Sequence, residues 1–234
     1  MKLLAIDTAT DACSAAILAG DELIDRHVLA PRAHARLILP MIAELLAETD
    51  LRLGDLDAIG FGRGPGSFTG VRIAAGVTQG LALGADLPVV PISDLAVLAQ
   101  GAMRCRGWPA VLAALDARMG EVYWGAFRRG DDGAAQAAGD ETVIAPRVAT
   151  APAGDWRGAG PGWAAHGAAL SSALGFAPEF DADWLPHAVD VARLAEREVR
   201  RGAALAPERA LPVYLRDSVA DTYPTRPGGR RSRA

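Results

Sequence analysis

The first thirty residues alternate apolar runs with polar turns. Lys2 to Ile6 runs apolar into Asp7, Thr8 to Asp11 make a polar turn, and Cys13 to Ala19 runs apolar again toward Gly20-Asp21, which predicts a β-hairpin. Glu22 to Leu29 predicts a third strand, ended by Pro31. A helix is expected from near His34. In it Leu37, Met41 and Leu45 form one i,i+4 stripe and Ile38, Ile42 and Leu46 the next, an apolar arc broad enough for more than one neighbour, with a bend expected at Pro40. Leu56 to Phe61 reads as a short buried strand, followed by a glycine-rich turn around Pro65 and a long small-residue helix reaching Gly84, capped by Ser67 or Thr69. Val89 to Ile92 predicts another strand, and Ser93 or Asp94 caps a helix holding Leu95, Val97, Leu98 and Met103.

The plan then starts again. Ala114-Leu115-Asp116, a turn, the apolar run Val122 to Phe127 and Gly130-Asp131 repeat the order of Ala5-Ile6-Asp7, its turn, Ala15 to Ala19 and Gly20-Asp21, roughly 110 residues later. Two α/β lobes are expected, 1–104 and 105–217, with a linker over Gln100 to Pro109 and a basic, disordered tail at 218–234 holding Arg226, Arg230, Arg231 and Arg233. Gly130 to Gly139 reads as a turn-rich insert, Thr150 to Gly167 as loop, and Ala188 to Arg201 as helix.

Composition narrows the function classes. Half of the 234 residues are hydrophobic but only 6% aromatic, so Ala, Leu and Val must fill the cores. A net charge of −4 gives no global attraction for a polyanion, so a nucleic-acid role would be local or through a partner. Cys13 and Cys105 form neither a disulfide framework nor a metal pattern, and His27, His34, His166 and His187 lack ligand spacing. Asp7 and Asp11 interrupt the N-terminal apolar run where a signal peptide needs continuity, and no membrane span is found, so a cytoplasmic protein is expected.

Three chemistries compete for the glycine turn. GRGPGSFTG lacks the lysine of a Walker loop and the glycine spacing of a dinucleotide fingerprint, which leaves a weak anion site, a packed strand-to-helix turn or an interface. Gly76, Gly80 and Gly84 recur every four residues and imply close backbone approach, either by the lobe's own sheet or by a second subunit. Asp7, Asp116, Arg118 and Glu121 fall on hairpin turns expected to face one another across the cleft between lobes, where a carboxylate orients a ribose or metal-bound water and an arginine pairs with phosphate. For Asp7 the alternative is a turn-forming role.

The segments LAIDTATDACSAAI, HARLILPMIAELL, GRGPGSFTGVRIAAGVTQGLALG, ALDARMGEVYWGAF and LPVYLRD closely resemble the TsaB family of bacterial tRNA threonylcarbamoyladenosine biosynthesis, over about residues 1–217. The resemblance implies a duplicated ribonuclease-H-like fold of the actin, Hsp70 and sugar-kinase type, with mixed sheets flanked by helices. It implies a non-catalytic subunit that binds TsaD, the paralogue that transfers threonylcarbamoyl to the adenosine 3′ of the anticodon, together with the ATPase TsaE. A homodimer is expected when TsaD is absent, and tRNA contact only through the complex. The histidine pair that binds metal in TsaD is replaced by Ser93 and Val97, so no metal and no required cofactor are expected, and nucleotide binding would be weak. The implied interface comprises His34, Leu37, Ile38, Met41, Leu45, Gly70, Ile73, Ala74, Val77 and Gly80, with Asp7, Arg118 and Glu121 as contacts to nucleotide or TsaE. An ATPase or kinase of the same fold is the alternative; a metallopeptidase is disfavoured by the missing histidine pair.

Overall fold

The computed structural model describes residues 1–216, so the arginine-rich tail expected at 218–234 lies outside the described residues. The first sheet contains β1 (Lys2–Asp7), β2 (Ala12–Ala19), β3 (Glu22–Leu29), β4 (Ala58–Gly62) and β5 (Val89–Ile92), in the order β3-β2-β1-β4-β5. The first three strands meander antiparallel, whereas β4 and β5 join parallel after helical crossovers. Leu3 to Asp7 are all buried because both faces of β1 are covered, which is why its sequence is a continuous apolar run and not an alternation. On one face lie α1 (His34–Glu48) and α2 (Phe68–Ala85), closing a core of Leu4, Ile6, Ile17, Ile59 and Phe61.

The second sheet repeats the plan with β6 (Ala110–Arg118), β7 (Glu121–Arg129), β8 (Ala135–Ala137), β9 (Thr142–Ile144), β10 (Arg157–Ala159) and β11 (Phe180–Asp181), ordered β11-β10-β6-β7-β8, with β9 also on β7. Its leading hairpin is antiparallel, and β10 and β11 add parallel on the other side, as β4 and β5 do in the first sheet. The remaining helices are α3 (Asp94–Arg106), α4 (Pro161–Leu174) and α5 (Ala188–Arg200). Two of them are exchanged between lobes. The helix α3 packs on β6, β7 and β8, and α5 packs on β1, β2, β4 and β5, where Ala195 approaches Gly60 so closely that a Cβ there would stand 2.7 Å from its methyl. The expected boundary at 104/105 therefore falls inside α3, and the stretch read as a linker is helical through Arg106.

Two further readings are corrected. Gly130 to Gly139 is not wholly turn, since β8 lies within it, and Thr150 to Gly167 contains β10 and the start of α4. Helix α4 is hard to read because its fully buried large side chains, Trp163 and Leu170, stand two turns apart among Ala, Gly and Ser.

The glycine turn, a buried carboxyl pair and an open helix face

The turn after β4 is closed by the chain itself. Ser67 caps α2, its Oγ accepting from Gly70 N at 3.4 Å, and Ser67 N donates to Ala9 O at 2.7 Å. Thr8 Oγ1 donates to Gly70 O at 2.7 Å. A Cβ on Gly66 would lie 2.6 Å from Ala9 O, and one on Gly70 would overlap Thr8 O, so only glycine lets the β1–β2 turn sit against the start of α2. The amides of Gly64, Ser67 and Gly70 are engaged internally and so are not free to hold a phosphate.

Behind this turn two carboxyls meet. Asp7 and Asp94 are both completely buried. Asp7 Oδ1 accepts from Ala9 N at 3.0 Å, the turn-forming role weighed for it. Asp94, the first residue of α3, accepts the amide of Gly64 through Oδ2 and donates its own amide to Gly64 O at 3.0 Å. The remaining oxygens, Asp7 Oδ2 and Asp94 Oδ1, flank Gly62 and lack a conventional donor; a Cβ on Gly62 would stand 2.7 Å from the first and overlap the second. Burial pushes both carboxyls up, and Asp94 further because the charge of Asp7 lies beside it. A single proton on Asp94 donated to Asp7 would satisfy both orphan oxygens. Glu141, beside Ser93, is also pushed up by burial, with Ser93 and Arg63 acting against it. Asp7 is thus a structural carboxyl sealed under the turn and does not present itself to a cleft ligand.

Nor does the structure bring Arg118 and Glu121 to Asp7. Arg118 sits in a left-handed turn (φ 62°) with its side chain 85% exposed, and its guanidinium meets Asp116 at 3.1 Å. Glu121 is paired with Arg216, whose guanidinium also donates to Ala117 O. That segment starts from the glycine turn, where Val213 N donates to Arg63 O at 2.7 Å, so residues 213–216 cross from one lobe to the other; sequence patterning gave no signal for this strap.

Of the expected interface residues, several point inward. Ile38, Met41 and Leu45 belong to the core under α1, His34 is buried with Nε2 3.2 Å from Ala12 O, Ala74 packs on the first sheet, and Gly70 is locked against Thr8. These six pack within the chain and hold the helices in place. Leu37, Ile73 and Val77 are half-buried, and Gly80 is exposed. Around Gly76, Gly80 and Gly84 nothing lies within 4 Å of an added Cβ, so packing against the lobe's own sheet is excluded as their explanation. Leu83 (53% exposed) and Arg72 flank this stripe, with Phe68, 66% exposed, at its head; the Arg72 guanidinium sits 3.3 Å over the Phe68 ring.

Two sheets of one strand order with exchanged helices define a duplicated ribonuclease-H-like protein. Comparisons sharpen the class. A family model described as TsaD, tRNA N6-adenosine threonylcarbamoyltransferase, matches residues 28–222. The Escherichia coli protein named tRNA threonylcarbamoyladenosine biosynthesis protein TsaB is 44% identical, over 94% of this chain and 96% of its own, and the Bacillus subtilis protein of that name is 32% identical over 62% of each. The solved structure of YeaZ from Pseudomonas aeruginosa is 46% identical and superposes with a TM-score of 0.86, covering 92% of this chain and 99% of its own. The chain belongs to the TsaB family. No helix among the described residues is long and apolar enough to cross a membrane.

Proposed function

We propose that this chain is the non-catalytic scaffold subunit of a tRNA threonylcarbamoyladenosine modification complex, and that it docks a TsaD-like paralogue on the exposed face of α2. The observation that carries this reading is the open stripe of Gly76, Gly80 and Gly84. Each glycine costs an interior helix position about 1 kcal/mol relative to alanine, and no contact among the described residues offsets that cost. A partner helix approaching to backbone distance would, with Ile73, Val77 and Leu83 closing over its sides. The sealed Asp7–Asp94 pair supports the absence of chemistry in this chain, and the same face would serve a second copy when the paralogue is missing. A TsaE-like ATPase is the further partner, with the exposed Arg118 as its contact, and no cofactor is required.

The chain alone is expected to leave tRNA unmodified. Mixing it with a TsaD-like paralogue, a TsaE-like ATPase and the enzyme that makes the threonylcarbamoyl adenylate restores modification. Gly80→Leu places a side chain in the docking groove and weakens capture of the paralogue at least tenfold, with the unfolding midpoint of the chain unchanged or raised. Undiminished capture by that variant, or turnover by the chain alone, sinks the reading.

A further inference from the structure

A pocket of about 670 Å³ opens on the side of the molecule formed by α3, α5 and the β7–β8 turn. Six arginines line it against two carboxylates, Asp132 and Glu196, in a chain whose net charge is −4. Three of the arginines are anchors. Arg104 forms a two-point ion pair with the buried Asp190 (2.8 and 2.9 Å), Arg129 donates to the carbonyls of Met103 and Trp108, and Arg197 pairs with Asp132. The other three reach outward from α5 and its end. Arg193 is exposed and has no ion-pair partner among the described residues, while Arg200 (68% exposed) and Arg201 (55%) make only surface pairs within their own helix, to Glu196 and Glu198. Surface pairs of this kind are worth little and are readily exchanged for a stronger anion.

We propose that this pocket is an anion site that takes the phosphodiester backbone of RNA. Arg193, Arg197 and Arg200 recur at i, i+4 and i+7 along one face of α5, a track about 10 Å long on the helix axis, which suits successive phosphates better than a single one. The lining holds no aromatic ring, so a nucleoside base has no platform on which to stack, and a free nucleotide is the poorer fit. Planar guanidiniums are the side chains that pair with phosphate at two points. The proposal rests on the reading that the chain works within a tRNA-modifying assembly, but it concerns a face other than the α2 stripe, so the two are tested separately.

The test uses a fluorescein-labelled tRNA transcript and, in a parallel arm, a labelled ATP analogue, each titrated with the full chain at low salt and over a salt series. The triple variant R193E/R200E/R201E is expected to weaken transcript binding at least tenfold and to flatten the log–log salt slope by roughly 2–3. The variant R193Q/R200Q/R201Q, which adds no carboxylate beside Glu196 and Glu198, shows the same direction with a smaller loss. Arg147→Glu, an exposed arginine outside the pocket, leaves affinity within twofold. Capture of the TsaD-like paralogue by the triple variants remains intact; its loss would speak to the docking reading alone. The proposal is overturned if the unaltered chain does not hold the transcript at low salt, if both triple variants bind it as the unaltered chain does, if Arg147→Glu weakens it equally, or if only the ATP analogue responds.

Discussion

Gly70 and Gly80 stand on the same helix and answer to different neighbours. Gly70 lies where α2 begins, pressed against the Thr8 carbonyl, together with Gly66 against Ala9 and Gly62 against the Asp7–Asp94 pair. Gly80, with Gly76 and Gly84, faces open space. For the first group the fold itself supplies the reason for glycine: two turns and a carboxyl pair meet at backbone distance, and a methyl group has nowhere to go. For the second group the described residues supply none, and each position gives up helix stability without a return from them. A glycine whose Cβ would clash is therefore structural, and a helical glycine whose Cβ would be free points outside the molecule.

The most severe way to break this contrast is Gly70→Ala. Overlap with Thr8 O forces apart either the β1–β2 turn or the first turn of α2, also stretching the bond from Thr8 Oγ1 to Gly70 O. A loss of about 2–3 kcal/mol is expected in urea unfolding. A variant as stable as the parent would show that the close approach is not required, and the distinction between the two groups would fall.

Asp94→Asn sharpens the inner half of the contrast. Both carboxyls are pushed up by burial, so the folded state holds protons that the unfolded state releases above about pH 4. Under linkage, the folded chain binding more protons means that stability declines as pH rises through that window and continues to decline until the pair itself ionises. Asparagine keeps an oxygen to accept from Gly64 N and offers an amide to Asp7 Oδ2, removing the need for the shared proton. The variant should be more stable than the parent at pH 7 and show a flatter stability profile as pH rises above about 4. A variant destabilised at pH 7 with an unchanged slope would mean that the pair is not protonated as described.

Much of the inner region was legible in the sequence, since the Asp-ended strand, the glycine turn and the Ser caps are local signals, and the repeat of that plan marked the second lobe. What local patterning missed depends on distance along the chain. Nothing near Asp7 announces Asp94, which arrives from a helix exchanged onto the other lobe, and nothing near Glu121 announces Arg216. The same limit applied to α1: i,i+4 spacing marked Leu37, Met41 and Leu45 as one apolar stripe and Ile38, Ile42 and Leu46 as the next, but spacing alone does not say whether such an arc meets the chain's own sheet or a partner. Burial decides it in favour of the sheet. Spacing marks Ala188 to Arg201 only as helix, and it is the fold that sets the α5 arginines beside Arg104 and Arg129.

The outer group is tested most gently by alanine. Gly76→Ala and Gly84→Ala add a methyl into space with no atom within 4 Å, so each should raise stability by roughly 0.5–1 kcal/mol through helix propensity, and the two should add because they stand two turns apart without shared neighbours. The contrast is then read from two measurements on one protein. If the stripe is shaped for a partner, the doubly substituted chain unfolds at a higher urea midpoint and yet holds the TsaD-like paralogue less tightly, because the methyls that steady the lone helix stand where the partner's backbone must come. If it gains stability and loses no affinity, the stripe is not a docking groove, and the reason for its glycines must be sought elsewhere. A stabilised chain with impaired assembly is an outcome that the inner glycines cannot give, since filling their space damages the fold before any partner is met.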